Sequence, residues 1–254
     1  MLSTIINHPL YLFVAMLVIL PLASGIGVYC LNRKGNLDEE TLKDFSIVQA
    51  ATLTLLALLI GFSFSVAVNR YDQRKDCESE EANAIGTEYL RTDLLSSANA
   101  SNAREQLKKY LDLRISWYQL ADREELAQVD KKTAAIQNDL WQTMKNEAGL
   151  STTPVTALAI SGMNDVINTQ GYTQAAWIKR FPVSAWVLLI TIAVFCNILI
   201  GYGSHSRKSN KVYLFILPVM IATSLTLVAD ISSPRGGLIL IEPQNLILLK
   251  QSLQ

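Results

Sequence analysis

Polarity along this chain is arranged in long blocks. Four blocks carry no charged side chain: residues 9–31, 45–68, 182–203 and 212–229. A helix needs about 20 apolar residues to cross a hydrocarbon core of about 30 Å. Each block therefore predicts a transmembrane helix, the fourth only just long enough. The leading residues MLSTIINHP lack the positive charge of a signal peptide, and the block behind them exceeds the usual apolar h-region. That block is expected to be retained as a span. Segments 32–44 and 204–211 are short, and short connections make antiparallel neighbours. The expected fold is all-α: four transmembrane helices in two hairpins, flanking a helical bundle. The expected divisions are a first hairpin at 1–68, an extramembrane helical domain at 69–181, a second hairpin at 182–229, and a C-terminal tail at 230–254 packed on the bundle. Both termini and the middle domain then share one side of the membrane.

In the middle domain the pattern changes to helical periodicity. Span two is expected to run on without a break, since 69–95 has no proline and one glycine, Gly86. Ser96 to Asn102 (SSANASN) predicts a turn, because such side chains compete for backbone hydrogen bonds. A helix from Ala103 follows, with Leu107, Tyr110, Leu111, Trp117 and Tyr118 at three-four spacing. The next helix covers 124–147 and is closed by Gly149. Thr153-Pro154 reads as N-cap and first helical residue of another, with Val155, Leu158, Gly162, Val166 and Ile167 as its apolar stripe. Leu238 to Ile241 reads as a strand-like run, and Pro243 opens a short terminal helix.

Composition narrows the function classes. Half of the residues are hydrophobic, and 22 basic residues balance 22 acidic ones. No basic surplus points to nucleic acid. Cys30, Cys77 and Cys196 form no CxxC, and His8 and His205 stand apart from other ligands, so no metal or cofactor site is expected. No catalytic motif is present, and no enzymatic activity is expected. The positive-inside rule does not orient the chain. Arg33, Lys34, Lys43, Arg207, Lys208 and Lys211 on one side face Arg70, Arg74, Lys75, Lys179, Arg180 and Arg235 on the other, six against six.

Several residues stand out as candidates. Gly61-Phe62-Ser63-Phe64-Ser65 in span two suits either close helix packing or a pore wall with phenylalanines as an apolar constriction. Helical spacing puts Leu58, Phe62 and Ser65 near one face, and Ile60, Phe64 and Val68 near another. A polar cluster follows: Asn69, Arg70, Tyr71, Arg74, Glu81, Asn83 and Arg91. It serves as interfacial anchor, structural network or pore mouth. Arg114 lies on an apolar stripe, where a guanidinium needs a partner such as Glu81 or a route to water. Asp230 ends span four, and an acid there is a functional candidate or an interfacial, solvated group.

The runs GFSFSVAVNRYDQR (61–74), EANAIGTEYLR (81–91), YLDLR (110–114) and DISSPRGGLI (230–239) resemble a bacterial family of uncharacterised membrane proteins with a bestrophin-like domain. A further resemblance to bestrophins, pentameric anion channels, implies that span two lines a pore with Phe62 and Phe64 at its neck. It also implies a cytosolic middle domain in a bacterial inner membrane, a homo-oligomer and inorganic ions as cargo. This chain departs from the bestrophin pattern after span two: Tyr71 is followed by Gln73, Arg74 and Lys75, with no tryptophan pair. The leading reading is an oligomeric, anion-conducting channel. The alternative is a membrane-anchored interaction or sensing module that conducts nothing. A transporter ranks third, since no span shows the paired breaks of a midplane site.

Overall fold

A computed structural model describes residues 8–31, 39–150, 152–204 and 213–254. The expectations that rest on Arg33, Lys34, Arg207, Lys208, Lys211 and His205, and on the Cys30 side chain, lie outside the described residues. Every regular element among the described residues is helical. In chain order they are α1 (Pro9–Ile26), a π-helical turn (Gly27–Leu31), α2 (Glu39–Arg91), a 3-10 turn (Thr92–Leu94), α3 (Ser97–Gln119), α4 (Arg123–Leu150), α5 (Pro154–Ile178), α6 (Val183–Ser204), α7 (Tyr213–Ser232) and α8 (Gln244–Ser252). Four stretches, within Pro9–Tyr29, Lys43–Leu94, Pro154–Gly203 and Phe215–Ser232, are long and apolar enough to cross a bilayer. The chain is an all-α, multi-pass membrane protein. It divides into two compact units.

The first unit comprises residues 1–71 and 180–240. α1 packs along α6 and α7. Leu12, Met16 and Leu20 of α1 meet Trp186, Leu189 and Ala193 of α6, Leu225 and Val228 of α7, and Leu56 and Ala67 of α2 in one apolar core. Lipid is as apolar as these side chains, so close backbone approach has to supply what the hydrophobic effect does not. Two glycines make that approach. A Cβ on Gly27 would run into the Ile198 carbonyl oxygen, and one on Gly201 into the backbone of Ser24. Beside them the Ser24 hydroxyl bonds to Asn197 Oδ1 at 3.4 Å, and Asn197 Nδ2 donates to the Ala193 carbonyl at 2.7 Å. Gly61 behaves differently: a Cβ there would meet nothing within 4 Å.

The second unit comprises residues 72–179 and 241–254. α3 packs on α4, α4 on α5, and α8 on α3. α3 begins at Ser97 rather than Ala103. The polar side chains expected to break the helix are occupied by α4. Ser96 N–H and Oγ donate to the Glu147 carboxylate at 3.1 and 2.6 Å, Asn99 Nδ2 donates to the same group at 2.6 Å, and Asn102 Nδ2 donates to Thr143 Oγ1 at 2.9 Å. A carboxylate at a helix N-terminus also complements the helix dipole. These hydrogen bonds hold the Glu147 carboxyl below its usual range. α4 starts at Arg123, where Asp122 Oδ1 accepts the N–H groups of Glu124 and Glu125 at 2.9 and 3.0 Å. It runs through Gly149 to Leu150. α5 starts as its cap predicts, with Thr153 Oγ1 accepting from the Thr156 N–H at 3.1 Å.

The stripe of α5 keeps Gly162 and Val166 inward as expected but departs from the expected one at its N-terminal end. Val155 and Leu158 are about half exposed, while Thr156, Ala159, Gly162, Met163 and Val166 are buried. At Gly162 the missing side chain leaves room for Glu88 and Arg91 of α2. Residues 238–241 form no strand. They follow a turn whose Leu238 and Ile239 N–H groups are taken by a side chain rather than by another strand.

Candidate functional site

α2 is the element that organises the candidate residues. It is one uninterrupted helix of 53 residues, about 80 Å long at the usual rise. At 100° per residue its buried positions form a single stripe, Leu56, Ser63, Ala67, Arg74, Glu78, Glu81, Ile85 and Glu88, with Ala82 buried at its edge. Leu58, Phe62, Ser65 and Asn69 fall along the opposite line, and all four are exposed. Phe62 is 61% exposed and Phe64, on the flank, is 39% exposed. Asn83 is also exposed. Arg70, Tyr71 and Arg91 are half-buried.

The basic residues expected together at a pore mouth share one face of α2 but are engaged by different partners. Arg70 lies over the Phe181 ring at 5.7 Å, within the first unit. Arg74 is 1% exposed in the second unit. Its Nε and Nη2 donate to the carbonyls of Ala176 and Lys179, each at 3.3 Å, at the C-terminus of α5. A cation there satisfies orphan carbonyls and opposes the negative end of the helix dipole.

Glu81 and Arg114 form the buried centre of the second unit, each wholly inaccessible. Arg114 Nε donates to Glu81 Oε1, and the guanidinium stacks 4.6 Å from the Trp117 ring centre. Thr173 Oγ1 donates to Glu81 Oε2 at 3.0 Å, and Tyr118 Oη reaches the same oxygen at 3.4 Å. Trp117, Tyr118 and Trp177 close the site with mutual edge contacts. Burial first, and then the Glu81 charge, push the phenols of Tyr110 and Tyr118 well above their ordinary range. Burial lowers the tendency of Arg114 to stay charged, but Glu81 outweighs it, and the guanidinium ends above its ordinary value. This network ties α2, α3 and α5 together through one carboxylate.

Asp230 is 6% exposed rather than solvated. Its Oδ1 accepts the Leu238 N–H at 2.6 Å and its Oδ2 the Ile239 N–H at 3.1 Å. A Cβ on Gly237 would collide with Oδ1, so glycine is what lets the backbone close on the acid. Asp230 is thus the anchor of the turn that follows α7.

Two acids of the buried stripe are absent from the candidates read from the sequence. Glu78 is 3% exposed and holds the start of α8. Its Oε1 accepts the Leu246 N–H at 3.0 Å and its Oε2 accepts from Asn245 Nδ2 at 2.6 Å. Glu88 is wholly buried against Gly162. Their spacing with Arg74, Glu81 and Ile85 was the available signal, since charged residues at three-four spacing mark one face. Glu78→Ala is expected to release α8. Hydrogen exchange of residues 244–252 should rise by about tenfold or more, as befits loss of about 1.5–3 kcal/mol of charge-assisted bonding. Unchanged exchange would mean that Leu246 and its apolar contacts hold the helix without Glu78.

A cleft of about 350 Å³ in the second unit is lined by Gln73, Asp76, Cys77 and Glu80 of α2 and by Tyr172, Ala175, Ala176 and Lys179 of α5. Burial, followed by Glu80 and Asp76, pushes the Cys77 thiol up, so it stays protonated and unreactive.

The family model of the bestrophin-like domain matches residues 21–246. No curated protein matches the chain by sequence. Among solved structures, a bacterial bestrophin homolog from Klebsiella pneumoniae is similar to this chain at 14% identity and a TM-score of 0.66, over 94% of this chain and 96% of that one. A single-site variant of that homolog is similar at 12% identity and a TM-score of 0.67, over 95% and 97%. At these identities the likeness establishes the fold. With the family model covering most of the chain, this multi-pass membrane protein belongs to the bestrophin-like family.

Proposed function

We propose that the chain is one subunit of an oligomeric ion channel whose pore is lined by the open face of α2. A pentamer is the assembly that the bestrophin resemblance implies. The setting that goes with it is a bacterial inner membrane, with both termini and residues 69–181 in the cytoplasm. One observation carries this reading. Within its apolar stretch α2 commits Leu56, Ser63 and Ala67 to the core and leaves Leu58, Phe62, Ser65 and Asn69 uncovered, with open space at Gly61. Lipid could cover such a face, but a hydroxyl and an amide in line with an aromatic ring suit a wall that water reaches.

The charge pattern of α2 bears on the ion. Beyond Asn69 the same helical line reaches Asp72 and Asp76, both exposed. Arg74 is engaged with the carbonyls at the end of α5 and Arg70 is held over Phe181. Lys75, also exposed, lies off this line, so the field along it favours cations, in place of the anions that the resemblance implies. Reconstituted protein in liposomes with opposed potassium and chloride gradients tests both parts. The expected reversal potential lies toward potassium, and Asp72→Asn with Asp76→Asn moves it toward zero. A chloride-directed potential that neither change alters would refute the cation reading. Intact oligomers with no flux under any gradient would favour the interaction-module reading and end the channel one.

A further inference from the structure

Glu88 is the one acid in the buried stripe of α2 whose carboxylate receives no hydrogen bond. It is wholly inaccessible, and neither carboxyl oxygen has a hydrogen-bond partner. Gly162 of α5 lies directly on it: a Cβ at that position would collide with Glu88 Oε2 and Arg91 Nη1. The charged groups that face it are Arg91, one turn along α2 with Nη1 3.9 Å from Oε2, and Asp165 on α5. On the adjoining 3-10 turn, Asp93 is already paired with Arg104. Arg91 is half-buried and reaches water, so it stands close enough to attract a carboxylate but does not bond it.

A buried carboxylate without donors is expensive, whereas a buried neutral carboxyl is much less so. We infer that Glu88 is a proton-operated latch between α2 and α5: neutral, it lies sealed beneath Gly162, and on losing its proton it draws in Arg91 or water and loosens the contact at that glycine. Burial, opposed by Arg91 and reinforced by Asp165, pushes its carboxyl from the ordinary 4.5 up to about 8. The sign follows from proton counts. Between these values the unfolded chain has released the proton while the folded chain still holds it. Stability therefore falls as pH rises through that window, and levels off once the folded form has also ionised. The latch is closed below about pH 8 and opens just above the neutral range. This inference concerns the second unit alone and holds whether or not the protein conducts ions.

The test is hydrogen exchange of α5 in the full-length protein in nanodiscs, normalised to α4 so that the intrinsic effect of pH cancels. In the parent, residues 156–166 should lose protection by about tenfold to a hundredfold between roughly pH 6 and roughly pH 9.5. Glu88→Gln, which is neutral at every pH, should keep the low-pH protection throughout. Gly162→Ala, which wedges the same contact, should exchange fast at both pH values. A parent profile that is flat with pH overturns the latch, and so does a Glu88→Gln profile that follows the parent. If Glu88→Gln does not fold, the parent's own profile decides, since a flat one leaves nothing for Glu88 to switch.

Discussion

Phe62→Ala is expected to raise ion flux severalfold in liposomes while the oligomer stays intact. Phe62 projects from the uncovered line of α2, 61% exposed within the chain. It has Leu58 one turn before it and Ser65 one turn after. In the proposed assembly copies of α2 surround an axis, this line is the middle of the uncovered face of the helix, and a ring of phenylalanines there is dry and narrow. Removing the rings lets water, and then ions, cross. Phe64→Ala should have the smaller effect, because Phe64 lies on the flank of the helix and is only 39% exposed. The ordering of the two variants is the informative result. Equal flux from parent and both variants, with subunit number unchanged, would remove α2 as the pore wall. Loss of assembly in both would mean that these rings pack subunits together instead.

Arg114→Ala is expected to destabilise the second unit by about 3 kcal/mol or more, because it leaves Glu81 charged, buried and stripped of its main donor. Arg114 and Glu81 are both wholly inaccessible, so solvent cannot take over the lost interaction. Arg114→Lys should recover little of the loss. An ammonium neither matches the carboxylate with a planar fork nor stacks as a plane on Trp117. Combining Arg114→Ala with Glu81→Gln should be less damaging than the two separate losses added together, since no uncompensated charge remains. Thermal unfolding followed by tryptophan fluorescence measures all three, as Trp117 stacks on Arg114 and Trp177 packs on Trp117. Parent-like melting of Arg114→Ala would show that the pair contributes no net stability.

The apolar blocks and the helices they predict were legible from the residues alone, because crossing a membrane is a local requirement on length and polarity. The N-terminal cap at Thr153 and the continuity of α2 were legible for the same reason: the deciding groups lie within a turn of one another in the chain. Helical spacing also marked Leu107, Leu111 and Tyr118 as inward, and they are buried.

What the tertiary structure decided is which polar groups each helix meets. Ser96 to Asn102 looked like a turn because serine and asparagine compete for their own backbone. Glu147 and Thr143, some forty to fifty residues away, occupy those side chains and leave the backbone helical. Val155 and Leu158 looked inward on hydrophobicity, but Thr156, Ala159 and Met163 face inward instead, and at Gly162 Glu88 and Arg91 of the neighbouring helix leave no room for a side chain. Arg70 and Arg74 looked like one cluster, yet Arg74 is engaged by carbonyls 102 and 105 residues away. Asp230 looked like a solvated membrane-end acid until Gly237 allowed the chain to fold back onto it. In each case the residue's own chemistry left two outcomes of similar cost. A donor, acceptor or steric limit from another element selected one of them, and a single strand of sequence carries no record of which element that is.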